Sequence, residues 1–189
     1  MSQTNTTVVR CPWGDDPAMT AYHDTEWGRE LRGDQELFER LSLEAFQSGL
    51  SWAIILRKRD RFREVFAGFD PARVAAFDDG DVARLLDDAG IVRNRMKIDA
   101  TINNARTLLD LGESFSDLLW SFAPEPRTAP QSFAEVPATT PESVAMAKTL
   151  KKRGFRFFGP TTAYALMQAT GMVNDHLAGC IVRTEAGPA

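Results

Sequence analysis

Apolar residues recur at helical spacing along most of the chain. In "QELFERLSLEAFQSG" the residues Leu37, Leu41 and Ala45 fall three to four positions apart, the step that gathers side chains on one face of an α-helix. Asp34 stands where an N-cap is expected and Gly49 where the helix stops or kinks. "DPARVAAF" offers Asp70 as a cap and Pro71 at the first helical position, where a missing N–H costs nothing. "DVARLLDDAG" predicts a short helix closed in the left-handed conformation at Gly90. "NRMKIDATINNARTLLDLG" reads as a longer amphipathic helix, and "SFSDLLWSF" as a shorter one capped by Ser114 or Ser116. No alternating strand pair stands out, so the expected fold class is all-α.

From Ala123 to Ser143 the pattern breaks: "APEPRTAPQSFAEVPATTPES" holds five of the ten prolines, and helix cannot persist there. The stretch is too long for an ordinary connection and predicts an extended crossover between two helical lobes. Helices resume with "ESVAMAKTLKKRG" and "GPTTAYALMQATG". The expected organisation is one unit over 1–189, with an amino-terminal segment 10–33, a helical lobe 34–122, the crossover 123–143, a second helical segment 144–183 and a tail 184–189. Neither solenoid repeats nor low-complexity blocks are visible.

At 189 residues a compact fold buries roughly 70% of its unfolded surface, so a metal is not needed merely to make a core. The apolar fraction of 43% and charged fraction of 25% fit a soluble globular protein, and no run approaches the ~20 apolar residues of a membrane span. The opening MSQTNTTVV lacks the basic start and apolar stretch of a secretion signal, so the expected location is the cytoplasm, with no membrane partner. In that reducing compartment Cys11 and Cys180 are expected as free thiols or metal ligands. The net charge of −4 and pI near 5.3 argue against a protein that coats nucleic acid indiscriminately. Basic residues nevertheless gather in three stretches: Arg57, Lys58, Arg59, Arg61 and Arg63; Arg93, Arg95 and Lys97; and Lys148, Lys151, Lys152, Arg153 and Arg156. Each run alone is equally a solvated helix face, but together they permit one basic side on an acidic body.

The chain has only two histidines and two cysteines. His176 and Cys180, in "VNDHLAGC", are spaced i and i+4, one helical turn apart, while Cys11 and His23 stand near the other end. Two thiolates and two imidazoles suit Zn²⁺ in tetrahedral coordination, and four protein donors would leave no open position, making the ion structural. It would clip the two ends together. Against this, the Cys11 to His23 spacing matches no common finger, and a lone cysteine is as readily a small buried hydrophobe beside surface histidines. In favour of metal, every histidine and cysteine lies near a terminus and none is used elsewhere.

"LKKRGFRFFGPTTAYALMQA" runs from a basic helix end through Gly154, an aromatic bend and Gly159 into an apolar helix. Gly159 lets a backbone approach closely, and the amides of Thr161 and Thr162 open the helix unpaired, a seat for phosphate to which Lys151, Lys152 and Arg153 add attraction. A plain helical hairpin explains the same stretch equally well, and in either case Phe155, Phe157 and Phe158 are expected to pack. Glu44 follows Leu37 and Leu41 along the buried stripe of its helix. A carboxylate there suffers several kcal/mol of desolvation unless it is partnered or protonated, which makes it either functional or salt-bridged to a nearby arginine. "SGLSW" leaves space and supplies Trp52, while Trp13, Tyr22 and Trp27 flank the Cys11 and His23 pair. Aromatic surfaces with one carboxylate describe a pocket for a flat, electron-poor or cationic ring.

The motifs "CPWGDDP", "AYHDTEWG", "LEAFQSGLSW", "DAGIVRNRMKI", "LKKRGF" and "MVNDHLAGC", in this order, resemble those of the 3-methyladenine DNA glycosylase I family over nearly the whole chain. The resemblance implies the helix-hairpin-helix fold of the DNA glycosylase superfamily, with segment 144–183 carrying the hairpin and segment 10–33 held by one structural Zn²⁺ on Cys11, His23, His176 and Cys180. It implies a monomer that takes double-stranded alkylated DNA and excises a flipped 3-methyladenine by hydrolysis of its N-glycosidic bond. Glu44 would hydrogen-bond the damaged base, Tyr22 and Trp52 would stack on it, Trp13 and Trp27 would wall the pocket, and Leu50 would plug the emptied duplex. Lys151, Lys152, Gly154, Gly159, Thr161 and Thr162 would meet DNA. The sequence departs from the superfamily at Phe157, where many members have glycine, and at Thr161, where lyases carry a lysine, so no Schiff base is expected. Met19 stands where relatives show tyrosine. The usual superfamily aspartate has no clear counterpart, and the role of Asp175 stays open. Two other classes fit parts of the pattern: a non-enzymatic DNA-binding module, and a zinc hydrolase, which would need an open coordination site.

Overall fold

The structure, a computed structural model, describes residues 8–185; most of the expected tail, 184–189, lies outside them. The described residues form α-helices and short 3₁₀ turns without strands: α1 (Thr20–Thr25), α2 (Asp34–Gln47), α3 (Trp52–Val65), α4 (Pro71–Ala75), α5 (Asp79–Asp87), α6 (Arg95–Leu109), α7 (Phe115–Trp120), α8 (Pro141–Lys152), α9 (Pro160–Ala169) and α10 (Ile181–Glu185). Among them no helix is long and apolar enough to cross a membrane.

Local chemistry explains most boundaries. The Asp70 carboxylate accepts the amides of Ala72 and Arg73, Ser114 accepts that of Asp117, and Thr140 and Ser143 form a reciprocal capping box at α8. Two expectations are corrected. Asp34 is the first residue of α2, not its cap, because Gly33 at φ +96° turns the chain into the helix; the Asp34 carboxylate instead accepts the Ser116 amide at 2.8 Å, tying α2 to α7. Helix α5 ends at Asp87, and Gly90 is not left-handed. It is small for another reason: a Cβ there would lie 2.6 Å from Cγ of Arg61.

The apolar face of α2 is the centre of the molecule. Leu37, Phe38, Leu41 and Phe46 are fully buried with Phe62 of α3, Phe66 and Phe69 just beyond it, Ile98 of α6, and Leu150, Ala163 and Met167 of the last two long helices. Burial of each large side chain contributes about 1.5–3 kcal/mol. Phe115 and Phe155 stack at 5.3 Å, so residues on both sides of the crossover share one core. The crossover is extended apart from a turn at Phe133–Glu135 and gives way to α8 at Pro141. It is pinned where the Pro130 carbonyl accepts the Ala178 amide at 2.9 Å. At the chain ends, the Val9 carbonyl accepts the amide of Ile181 at 2.8 Å, which lays the residues before α1 against the carboxy-terminal segment.

Candidate base pocket, metal cluster and hairpin groove

The third turn of α2 carries Glu44 into the interior, where it is 5% exposed. Burial pushes its carboxyl from 4.5 up to about 7, against the opposing charge of Arg40. The salt bridge that burial in a helix stripe suggested is not formed: Arg40 donates to the Tyr22 hydroxyl at 2.8 Å and lies 3.5 Å from Glu26, and Arg59 is committed to Glu26. Glu44 makes no ion pair or hydrogen bond with another described residue. It faces a cavity of about 330 Å³, which suits a single ring system.

Six segments build that cavity. The turn Pro12–Asp15 brings Trp13, α1 and its flanks bring Met19, Tyr22 and Trp27, the ends of α2 and α3 bring Glu44, Gln47 and Trp52, the crossover brings Phe133, and α9 brings Ala165 and Gln168. Tyr22 and Trp52 lie 5.4 Å apart with their planes tilted by 43°, and Trp13 meets Trp27 edge-on at 4.9 Å. Nε1 of Trp52 is buried without a partner among the described residues. Gln47 and Gln168 escaped the sequence reading although the signal was there: Gln47 lies one turn beyond Glu44, and Gln168 is a polar residue inside an apolar helix. Phe133 and Ala165 carry no such signal. Asp175 is fully buried outside the pocket wall. It accepts from the Tyr164 hydroxyl at 2.6 Å, from Nε2 of Gln168 at 2.9 Å and from Arg127, and so fastens the crossover to α9 and orients a pocket residue.

Behind the aromatic wall, Cys11, His23 and Cys180 are buried with their donor atoms within 4.8 Å of one another. His23 lies with Nδ1 2.7 Å from Asp24 and Nε2 3.5 Å from the Cys180 sulfur. The structure does not place His176 within that trio, but its ring centre is 5.0 Å from that of His23, its Nδ1 is held at 2.9 Å by Asn174, and its Nε2 is buried without a partner. Holding Nδ1 and leaving Nε2 is how a protein aims a histidine at a metal. Gly14 and Gly28 make room: a Cβ would come 2.6 Å from the His23 ring in one case and 2.7 Å from the His176 ring in the other. Burial pushes the Cys11 thiol up to about 12 and His176 down to about 4. Both shifts express the cost of charge in a dry site, and a bound cation reverses it for a thiolate. Trp13 packs on His23 at 4.8 Å and Trp27 on His176 at 4.6 Å, so cluster and pocket share a wall.

At the carboxy-terminal end of α2 a groove of about 720 Å³ runs between the α8–α9 hairpin and the α2–α3 turn, lined among others by Ser48, Lys151, Gly154, Phe157, Gly159 and Thr162. Gly159 caps α9 with open space where a Cβ would stand, and Thr161 and Thr162 follow Pro160 in the first turn. Gly154, at φ +102°, accepts a bond from Asn103 at 2.9 Å. Leu50 is half-buried in the turn between Gln47 and Trp52. The basic stretches fare unequally. Arg59, Arg61 and Arg63 are neutralised by Glu26, Asp88 with Glu64, and Glu39, Arg153 pairs with Glu113, and Lys97 is buried. Lys148, Lys151, Lys152 and Arg156 are exposed and make no ion pair with a described residue. Phe155 and Phe158 pack as expected, but Phe157 is 38% exposed at φ +56°, because the hairpin needs a left-handed residue there and the ring is thereby carried out of the core.

Fold and site together define an all-helical protein with a ring-shaped pocket around one buried carboxylate, beside an open groove. A family model described as Methyladenine glycosylase matches residues 13–184. DNA-3-methyladenine glycosylase 1 of Escherichia coli (strain K12) is 49% identical over 179 residues, 92% of this chain and 96% of that protein. The DNA-3-methyladenine glycosylase of Haemophilus influenzae is 43% identical over 190 residues, 94% and 99% respectively. Among solved structures, a crystal structure of 3-methyladenine DNA glycosylase I superposes with a TM-score of 0.88 at 49% identity, covering 92% of this chain and 98% of that one. A Staphylococcus aureus 3-methyladenine DNA glycosylase I, described for its recognition of 3-methyladenine, gives 0.86 at 34% identity over 92% and 95%. The chain belongs to the methyladenine glycosylase family.

Proposed function

We propose that this protein is a monofunctional DNA glycosylase that releases 3-methyladenine from alkylated double-stranded DNA by hydrolysis of the N-glycosidic bond, the first step of base excision repair. The observation that carries the reading is Glu44, buried and unpaired in an aromatic cavity. A neutral adenine entering that cavity leaves the carboxylate as costly as before. A purine methylated at N3 is cationic and relieves the cost, so the pocket discriminates by charge as well as by shape. The same positive charge makes the base a good leaving group. With the nucleotide extruded and its ring packed against Tyr22 and Trp52, the bond from C1′ to N9 breaks with its electron pair going to the base. Water then captures the oxocarbenium carbon and loses a proton, leaving an abasic site. Among the described residues that line the pocket there is no lysine to form a Schiff base, so on this reading hydrolysis ends the reaction. Leu50 fills the gap in the stack, and the hairpin with Gly154, Gly159, Thr161 and Thr162 seats the backbone, aided by Lys151 and Lys152.

The donor set beside the pocket fits one Zn²⁺: two buried thiols, two imidazoles held through Nδ1, and an orphaned Nε2 on His176. Cys11, His23, His176 and Cys180 would hold the ion, which when bound supplies charge compensation for two thiolates and a cross-link between the chain ends. It takes no part in bond breaking. On this reading the protein works in the cytoplasm, a reducing compartment in which Cys11 and Cys180 would be available to a metal. Chromatography of bases released from methylated duplex DNA tests the function: a 3-methyladenine peak is expected, and its absence with retained DNA binding would leave a non-enzymatic DNA-binding module.

A further inference from the structure

Lys97 lies in the middle of a basic stretch, yet it is 6% exposed and has no carboxylate among its described partners. Its ammonium donates to the carbonyl of Phe46 at 2.8 Å and to that of Ser48 at 2.6 Å. These are the last carbonyls of α2, which have no partner within the helix and carry the negative end of its dipole. The ring of Phe157 stands over the same ammonium, 5.6 Å from centroid to nitrogen, at cation–π distance. Phe157 holds this position at φ +56° and 38% exposed, a combination disfavoured for a bulky side chain and one that gains little burial. The turn so held runs from Ser48 through Gly49, at φ +83°, to Ser51, whose side chain caps nothing. Its other support is Gln47, whose Nε2 donates to the Leu50 carbonyl at 2.5 Å.

We infer that Lys97 is a positioning residue for duplex opening: it anchors the Leu50-bearing turn to α6, and Phe157 covers it from the hairpin side, so that wedge and hairpin groove keep one register. This rests on the role proposed for Leu50 and goes beyond it by naming what resists the load. Pushing a side chain into a base stack bears on the turn that carries it. A turn with an uncapped helix start behind it and a glycine within it yields unless something rigid holds its carbonyls. The pocket meets this turn at its two ends, through Gln47 and Trp52, while Glu44 and the rest of its lining come from the body of α2, the Pro12–Asp15 turn, α1 and its flanks, the crossover and α9 and are not held by the brace.

Lys97→Met, Lys97→Arg and Phe157→Gly separate this role from a general structural one. Binding of free 3-methyladenine, followed by quenching of the pocket tryptophans, is expected to stay within about twofold of wild type in all three. Excision from methylated duplex is expected to fall about tenfold or more in Lys97→Met, and less in Phe157→Gly, whereas excision from the same strand without its complement, where no stack must be opened, stays within about threefold. Lys97→Arg is expected to recover part of the duplex loss. Phe157→Gly is expected to melt no lower than wild type, since glycine takes the left-handed conformation without strain, so it still decides the question if Lys97→Met fails to fold. Duplex excision unchanged in Phe157→Gly, or free-base binding and single-strand excision falling in step with duplex excision, would overturn the inference. Fluorescence of 2-aminopurine placed beside the lesion reads opening without chemistry. A wild-type protein that opens the duplex in a Lys97-dependent way but frees no base would overturn the glycosylase reading and leave this one standing.

Discussion

A buried carboxylate without a partner is destabilising until something binds it, and Glu44 has been kept in that condition by the company around it. Arg40, one turn away, directs its donors to Tyr22 and Glu26, so the charge of Glu44 is left for the ligand. Glu44→Gln keeps the shape and removes the charge. We expect it to retain DNA binding and to lose about 100-fold or more in single-turnover excision, the scale seen when a preorganised electrostatic group is deleted; unchanged turnover would remove Glu44 from the mechanism. The pH profile follows. With the carboxyl raised to about 7 in the free protein, kcat/KM should rise with pH through an acid limb centred near that value and absent from Glu44→Gln. A cationic base at the carboxylate favours its ionised form, so the limb in kcat should lie lower. Stability has the opposite slope: a carboxyl that holds its proton more tightly when folded favours the native state at low pH, and this advantage is lost as pH rises from 4.5 through about 7. At roughly 1.4 kcal/mol per unit the loss is roughly 3 kcal/mol. Melting curves at pH 5 and pH 8 should therefore differ more for wild type than for Glu44→Gln.

At the scale of elements, the chain was legible wherever the signal was local. Helical periodicity, Asp70 and Ser114 as caps, Pro71 and Pro160 at first positions and the proline-rich break all act within a few residues, and α2, α4, α6, α7, α8 and α9 follow from them. Illegible features depend on neighbours distant in sequence. Asp34 looked like a cap for its own helix and instead accepts an amide in the first turn of α7, Gly90 is small because Arg61 crosses it, and Lys97 is buried because the end of α2 needs its ammonium. The pocket was half legible for the same reason: Glu44 and Trp52 share one helical neighbourhood, but Phe133 enters only through the path of the crossover. The charge pattern was the least informative, since Arg59, Arg61 and Arg63 read as basic and are paired off. Of the three basic stretches, what remains exposed and without an ion pair to a described residue is the hairpin set, together with the isolated Arg57 and Arg93. Lys151→Ala with Lys152→Ala should weaken duplex binding alike for damaged and undamaged DNA and reduce the magnitude of the salt slope of log K by up to about 2, one for each phosphate no longer neutralised. Free 3-methyladenine binding should not change. A salt slope equal to wild type would show that the backbone runs elsewhere.

For the whole molecule the decisive feature is that the first described residues and the last ones meet behind the pocket. Cys11 and His23 come from one end and His176 and Cys180 from the other, and the Val9 to Ile181 hydrogen bond runs alongside them. This junction does not touch the base, yet Trp13 and Trp27 lean on its two histidines, so anything that loosens it loosens two walls of the cavity. In the absence of a cation the junction holds a strongly raised thiol and an unpartnered imidazole nitrogen, a set of costs that one divalent ion removes together. Elemental analysis of the purified chain is therefore expected to find one zinc per molecule, and Cys180→Ala to lose it. Because the junction cysteines pack in a small apolar cluster separate from the main core, metal loss should lower the melting temperature without abolishing helix content by circular dichroism, while shifting tryptophan emission and weakening 3-methyladenine binding as Trp13 and Trp27 lose their support. Adding zinc back to chelated wild type should restore all three; a chain that binds 3-methyladenine equally well with and without metal would show that the pocket stands on its own and that the junction is only a closure of the ends.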